Sequence, residues 1–87
     1  MAIWGADVEE LKALGTELTN KANDIKGILA QLNSRLQGTT WSGPDADRFR
    51  GNWNSQHVAA LNKVIAELTA AGGDAKKNAE QQRTTSA

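Results

Sequence analysis

The spacing of the apolar residues constrains this chain more than any other feature. They recur as Val8, Leu11, Leu14, Leu18, Ala22, Ile25, Leu29, Leu32 and Leu36, in steps of three or four. That is the repeat of one face of an α-helix and not the alternation of a strand. A second run repeats the pattern through Ala46, Phe49, Trp53, His57, Leu61, Val64 and Leu68, with Ala60 and Ile65 widening the face. Asp7 and Glu10 stand at capping-box spacing ahead of the first run, and Glu9 and Glu10 suit the positive end of a helix dipole. The first helix is predicted over about 7–37, roughly 45 Å at 1.5 Å per residue.

The one strong break is Gly38-Thr39-Thr40-Trp41-Ser42-Gly43-Pro44. Gly38 suits the position just past a helix, Pro44 the first turn of the next, and Ser42 or Gly43 its N-cap, with Asp45 and Asp47 near the positive dipole end. So short a connection makes the two helices antiparallel neighbours. The second helix is expected from about 44 to at least 71. There Gly72-Gly73 either ends it or passes into a weaker, frayed continuation to about 82; the good helix formers of 74–82 tilt the choice to the second. Residues 83–87 read as a disordered polar tail. The whole chain, 1–87, is one domain.

Counted as heptads from Leu11, the a positions are Leu11, Leu18, Ile25 and Leu32, all large and apolar. The d positions are Leu14, Lys21, Ile28 and Arg35, and Ala22, Leu29 and Leu36, one place later, take over from them. The stripe thus drifts as it would on a nearly straight helix. Gly15 and Gly27 are weak helix formers and read as points of packing tolerance rather than hinges. Two such helices form a rod, and one facing helix leaves part of each broad stripe wet: Leu14, Ile28, Leu29, Ile65 and their neighbours need cover. At 87 residues a single core is thin, so association is expected. The fold class expected is all-α, an antiparallel helix–turn–helix hairpin that dimerises into an elongated four-helix bundle. Leu11, Leu14, Leu18, Ile25, Leu29, Leu32, Leu36, Phe49, Trp53, His57, Leu61, Val64 and Leu68 supply the core and dimer seam.

Composition excludes several functions. Ten basic residues balance ten acidic ones and are spread evenly, which argues against a nucleic-acid binder. Without Cys there is no disulfide framework, zinc finger or thiol nucleophile. No apolar run approaches the roughly 18 residues of a spanning helix, so no stable membrane insertion is expected. Residues 1–7 lack the regions of a Sec signal peptide, which on general grounds reads as cytoplasmic. His57, the one imidazole, falls on the apolar stripe and reads as a seam residue, with no triad or metal-ligand partner at suitable spacing. Asp45 and Asp47 point apart on a helix, and Gly72-Gly73 lacks the strand a phosphate loop needs. No enzyme, cofactor or metal site is expected. Trp41 in the turn either plugs the end of the hairpin, over the last turn of the first helix, or also belongs to a recognition surface there; Trp4 precedes the first helix.

Trp41-Ser42-Gly43 between two long helices, in a chain just under a hundred residues without a Sec signal, resembles the Trp-X-Gly (WXG) family of small type VII (ESX-type) secretion substrates. The match extends to Gly43-Pro44-Asp45-Ala46-Asp47-Arg48-Phe49-Arg50, then Trp53, His57, Leu61, Leu68, Gly73 and Asn78-Ala79-Glu80-Gln81-Gln82, which resemble an actinobacterial branch of that virulence-associated family. The resemblance implies hairpins that pair antiparallel, as homodimers or with a sister protein, and are exported folded by an ATPase-driven machine of Gram-positive bacteria. It further implies that Trp41 and Gly43 form half of a composite export signal, completed by a Tyr-x-x-x-Asp/Glu from the partner's C-terminus. This sequence departs from the pattern in holding no Tyr. A signal-bearing partner, an unrecognised tail signal or a role other than export are the three readings of that departure.

The expected function is that of a secreted, non-enzymatic substrate or adaptor, cytoplasmic before export, that acts by dimerisation and protein binding. Its partners are itself, which balanced charge favours, or a sister hairpin, together with the secretion ATPase. The rival readings are a cytoplasmic, chaperone-like hairpin scaffolding a larger toxin and a membrane-active effector. Neither helix shows the basic polar face expected of the latter.

Overall fold

A computed structural model of the chain describes the backbone of residues 6–86 and the side chains of residues 6–84. The expectations for Trp4 and Ala87, and most of the stretch 1–7 that reads as lacking a signal peptide, lie outside the described residues. Everything described is helix or turn, in a rod measuring 66 × 17 × 15 Å. Helix α1 spans Val8–Gly38. A turn at 39–43 leads into α2, Pro44–Asn52, which runs without interruption through a π-helical segment, Trp53–Val58, into α3, Ala59–Ser86. Gly15 of α1 lies against Gly72 of α3, and Asn33 reaches Trp53, so the two halves lie antiparallel.

The ends of α1 follow from local chemistry. Asp7 is the N-cap, its carboxylate accepting the Glu10 N–H at 2.9 Å. Gly38 is the last helical residue and not the one past the end. Thr39 caps the helix with extended backbone, donating its N–H to the Leu36 carbonyl at 3.3 Å and its Oγ1 to the Arg35 carbonyl at 2.7 Å. Gly43, not Ser42, is the N-cap of α2, with Pro44 in the first turn.

The second apolar run is corrected by the π segment. Stepping by four from Trp53 leads to His57, then Leu61 and Val64. The inward side chains are instead Trp53, Val58, Leu61, Ile65, Leu68, Gly72, Ala75 and Ala79. The step of five from Trp53 to Val58 matches the i→i+5 bonding of a π turn, which absorbs one extra residue without breaking the helix. His57 is therefore exposed, touching only the edge of the seam through the Trp53 ring at 6.0 Å, and Val64 is exposed while Ile65 is 5% exposed.

Packing changes character along the rod. Toward the turn, Leu29 and Ile65 are buried with Ala22, and Ile25, Trp53, Val58, Leu61 and Leu68 close round them. Toward the open end the buried residues shrink to Gly15, Ala22, Gly72, Ala75 and Ala79. There the backbones touch: a Cβ at Gly15 would lie 2.8 Å from the Gly72 carbonyl oxygen, and one at Gly72 2.8 Å from that of Gly15. This contact explains why α3 continues through Gly72-Gly73 rather than ending at 71: what the pair loses in helix propensity is offset by the close approach that Gly72 alone permits. The tail expected to be disordered is helical as far as Ser86. Thr84 Oγ1 bonds the Glu80 carbonyl at 2.8 Å, and Arg83 pairs with Glu80 at 3.6 Å and with Glu9 across the rod at 3.9 Å.

Candidate functional site

The hairpin tip is built by one glycine and one arginine. Gly43 adopts φ 113°, ψ 176°, a region open essentially to glycine alone, and its carbonyl accepts the first helical bond, from the Asp47 N–H at 3.0 Å. Arg50, two turns into the helix, reaches back over the turn. Its Nη1 donates to the Trp41 carbonyl at 2.7 Å and its Nη2 to the Thr39 carbonyl at 3.1 Å. The same guanidinium stands 5.9 Å from the centre of the Trp41 ring, within cation–π range. Trp41 packs on Phe49, centroids 5.4 Å apart and planes at 54°. Trp53 is fixed from the other helix, its Nε1 donating to Asn33 Oδ1 at 2.6 Å.

These side chains leave an open apolar cleft of about 280 Å³, lined by Leu32, Arg35, Leu36, Thr39, Trp41, Phe49 and Trp53. It is one end of a longer apolar face. Leu14, Ile28 and Leu32 on α1, Val64 on α3, and Phe49 and Trp41 at the tip are all between 41% and 54% exposed. Helical periodicity puts Leu14, Ile28 and Leu32 about a quarter-turn round α1 from the buried Gly15, Ala22 and Leu29. Phe49 and Val64 fall to the same side of the rod on the second half. The face therefore runs from Leu14 to the tip.

No protein-family model, curated protein or solved structure matches the chain.

The residues expected to form a seam divide into two sets. Leu29 is buried, Ile25, Trp53, Leu61 and Leu68 are half-buried against the cluster it belongs to, and Leu11, Leu18 and Leu36 are half-buried. Leu14, Leu32, Phe49 and Val64 face outward, as does His57. Of the four residues queried as needing cover, Leu29 and Ile65 find it inside the hairpin, whereas Leu14 and Ile28 do not. Within the turn, Gly43 supplies the backbone geometry and Trp41 a wall of the cleft; Ser42 is exposed and makes no cap bond. Trp41 packs on Phe49 and lines the cleft while staying 41% exposed, so it is only partly a plug.

Sequence reasoning missed the roles of Arg50, Asn33 and Val58. The signal for Val58 was present, since steps of three and four resume from it without a fault. Asn33 sits four residues after Leu29, on the inward side of α1, where a polar residue needs a partner. Among the described residues no cluster of three or more His, Cys, Asp or Glu could hold a metal, and no helix is long and apolar enough to cross a membrane.

Proposed function

We propose that this chain is a non-enzymatic, protein-binding hairpin, a substrate or the adaptor half of a substrate pair of a type VII (ESX-type) secretion system, that works paired with a second hairpin in an elongated four-helix bundle. The observation that carries the pairing is the exposure of Leu14, Ile28, Leu32, Val64, Phe49 and Trp41 along the rod. A half-exposed leucine or phenylalanine gains about 1 kcal/mol when the rest of its surface is covered, and six such residues on one side of a rod this thin are matched by no helix of the chain itself. The secretion role rests on the resemblance carried by Trp41-Ser42-Gly43 and the residues after it. Gly43 holds the turn open in its glycine-only conformation, and Trp41 stands at the bundle end where an export machine would read it.

A tagged chain is to be followed in an actinobacterial host with and without the type VII secretion ATPase. The reading expects the chain in the culture filtrate of the intact host and its loss from the filtrate of the deletion strain. Retention in both strains, in complex with a larger protein, would favour the scaffold reading, and leakage of neutral liposomes by the purified chain the membrane-active one. For Trp41→Ala the expected outcome is retained pairing by sedimentation with export reduced at least tenfold; loss of the helical fold in circular dichroism would show that Trp41 serves the hairpin and not the signal.

A further inference from the structure

Between the two helices the chain is tied at few points. Thr39 is fixed to α1, its N–H donating to the Leu36 carbonyl and its hydroxyl to that of Arg35, and the Gly43 carbonyl is fixed to α2 by the Asp47 N–H. Among the described residues, the stretch 40–42 makes one hydrogen bond within the chain, the one that the Trp41 carbonyl accepts from Arg50. Gly43, with open space around it, lets that stretch point in several directions. We infer that Arg50 selects one of them: it is the positioning residue of the tip, holding Trp41 half-exposed beside the open cleft in the pose that an export machine reads. The inference rests on the secretion reading above and assigns the pose of Trp41 to one side chain.

The chemistry of the clamp needs an arginine. Its acceptors, the Thr39 and Trp41 carbonyls, lie two residues apart on the turn, and one guanidinium meets both, Nη2 at 3.1 Å and Nη1 at 2.7 Å. A planar fork of N–H donors does this in a single rotamer, whereas an ammonium is a compact point charge on a flexible stem. The two bonds fix the backbone on either side of Thr40 and with it the direction in which the Trp41 side chain leaves the turn. The ring then rests 5.9 Å from the same guanidinium and 5.4 Å from the Phe49 ring. Phe49 and Arg50 are neighbours on α2, so Trp41 is carried by α2 rather than by α1.

Arg50 is spent on nothing else. No ion pair among the described residues includes it, and it is half-buried. Arg48, two residues earlier, is the contrast: its side chain is 71% exposed and pairs with Asp45 at 3.5 Å on the surface of α2. Without the clamp the apolar forces run the other way. Trp41 is 41% exposed, and Leu32, Leu36 and Trp53 line the open cleft beside it. Burial of an indole there is favourable in itself, and the guanidinium, bound to the backbone and facing the ring, opposes it. Loss of Arg50 therefore lets Trp41 close over the cleft while both helices stay in place.

The test labels the full chain with fluorotryptophan. Of its three tryptophans, Trp41 gives the fluorine signal that is missing from Trp41→Phe. Arg50→Gln is expected to move that signal and to reduce its isotope shift between light and heavy water, the mark of a ring turned away from solvent. Helicity, sedimentation and the Trp53 signal stay native, and export of the tagged chain falls to the level of Trp41→Ala. Arg50→Lys, which keeps the charge but serves one carbonyl at a time, restores part of both effects. Arg48→Gln removes the same charge two residues away and changes neither. An unmoved Trp41 signal in Arg50→Gln would overturn the positioning role, and so would loss of its helices, since Arg50 would then serve the hairpin as a whole. A moved signal with undiminished export, or equal loss in Arg48→Gln, would overturn the link to export and leave the secretion reading intact. A native chain absent from the culture filtrate would overturn the secretion reading and that link with it, and the fluorine signals alone would then decide whether Arg50 positions Trp41.

Discussion

Glycines in this chain do three different jobs, and the difference is measurable. Gly43 holds a backbone conformation that a Cβ disfavours although space around it is open. Gly43→Ala is expected to cost about 1–3 kcal/mol through strain alone. Gly15 is ordinary in conformation but crowded, with the Gly72 carbonyl and Lys76 Cγ each 2.8 Å from where a Cβ would stand. Gly15→Ala gains about 1 kcal/mol of helix propensity and loses more through overpacking against backbone, for a net loss of about 1–2 kcal/mol. Gly27 and Gly73 are helical with nothing within 4 Å of the added atom, so alanine at either should stabilise by about 0.5–1 kcal/mol. Urea titrations of the variants check the three signs together. Gly15 and Gly27 look alike in the sequence, where both read as packing tolerance. The helix partner that separates them sits more than fifty residues away.

At the scale of elements, the boundary of α1 was legible because it is decided locally: Asp7, Glu10 and the periodicity suffice. The second helix was legible in existence but not in register. The π segment is a feature of the whole helix, since its function is to keep both Trp53 and the Val58-to-Ala79 series facing α1 at once. Deleting one residue from its exposed stretch, such as Ser55, should therefore be tolerated: Trp53 and Val58 become four apart, an ordinary α-helix results, and the melting temperature is expected to stay within a few degrees of the native value or to rise. Deleting Asn62 instead rotates everything beyond it by about 100°, and should lower the melting temperature sharply or unfold the hairpin. Asn33→Ala tests the clamp on the same segment. Removing the 2.6 Å acceptor of the half-buried Trp53 indole N–H is expected to cost about 1–2 kcal/mol.

At the scale of the molecule, what matters is how little a single rod can bury. Among the described residues the buried apolar ones are Ala22, Leu29, Ala46, Ile65, Ala75 and Ala79, and no large side chain is fully enclosed. Stability should then depend on association. Thermal melts across a hundredfold range of chain concentration are expected to shift upward by several degrees, as mass action requires when the partner binds only the folded form. A melting temperature independent of concentration would show that the hairpin stands alone.

The helices and the turn could be read from the sequence alone, because helix periodicity, caps and the glycine–proline break act within a few residues of chain. The sequence also marked Trp41 and Gly43 as the turn to watch. Which apolar residues the hairpin itself buries depended on how the two halves pack. A three-and-four repeat names a broad stripe, but the direction of the neighbouring helix divides it, and that direction is set by contacts distant in sequence: Gly15 on Gly72, Asn33 on Trp53, Arg50 across the turn. These leave Leu29 and Ile65 inside the hairpin and Leu14, Ile28, Leu32 and Val64 exposed on its outer side.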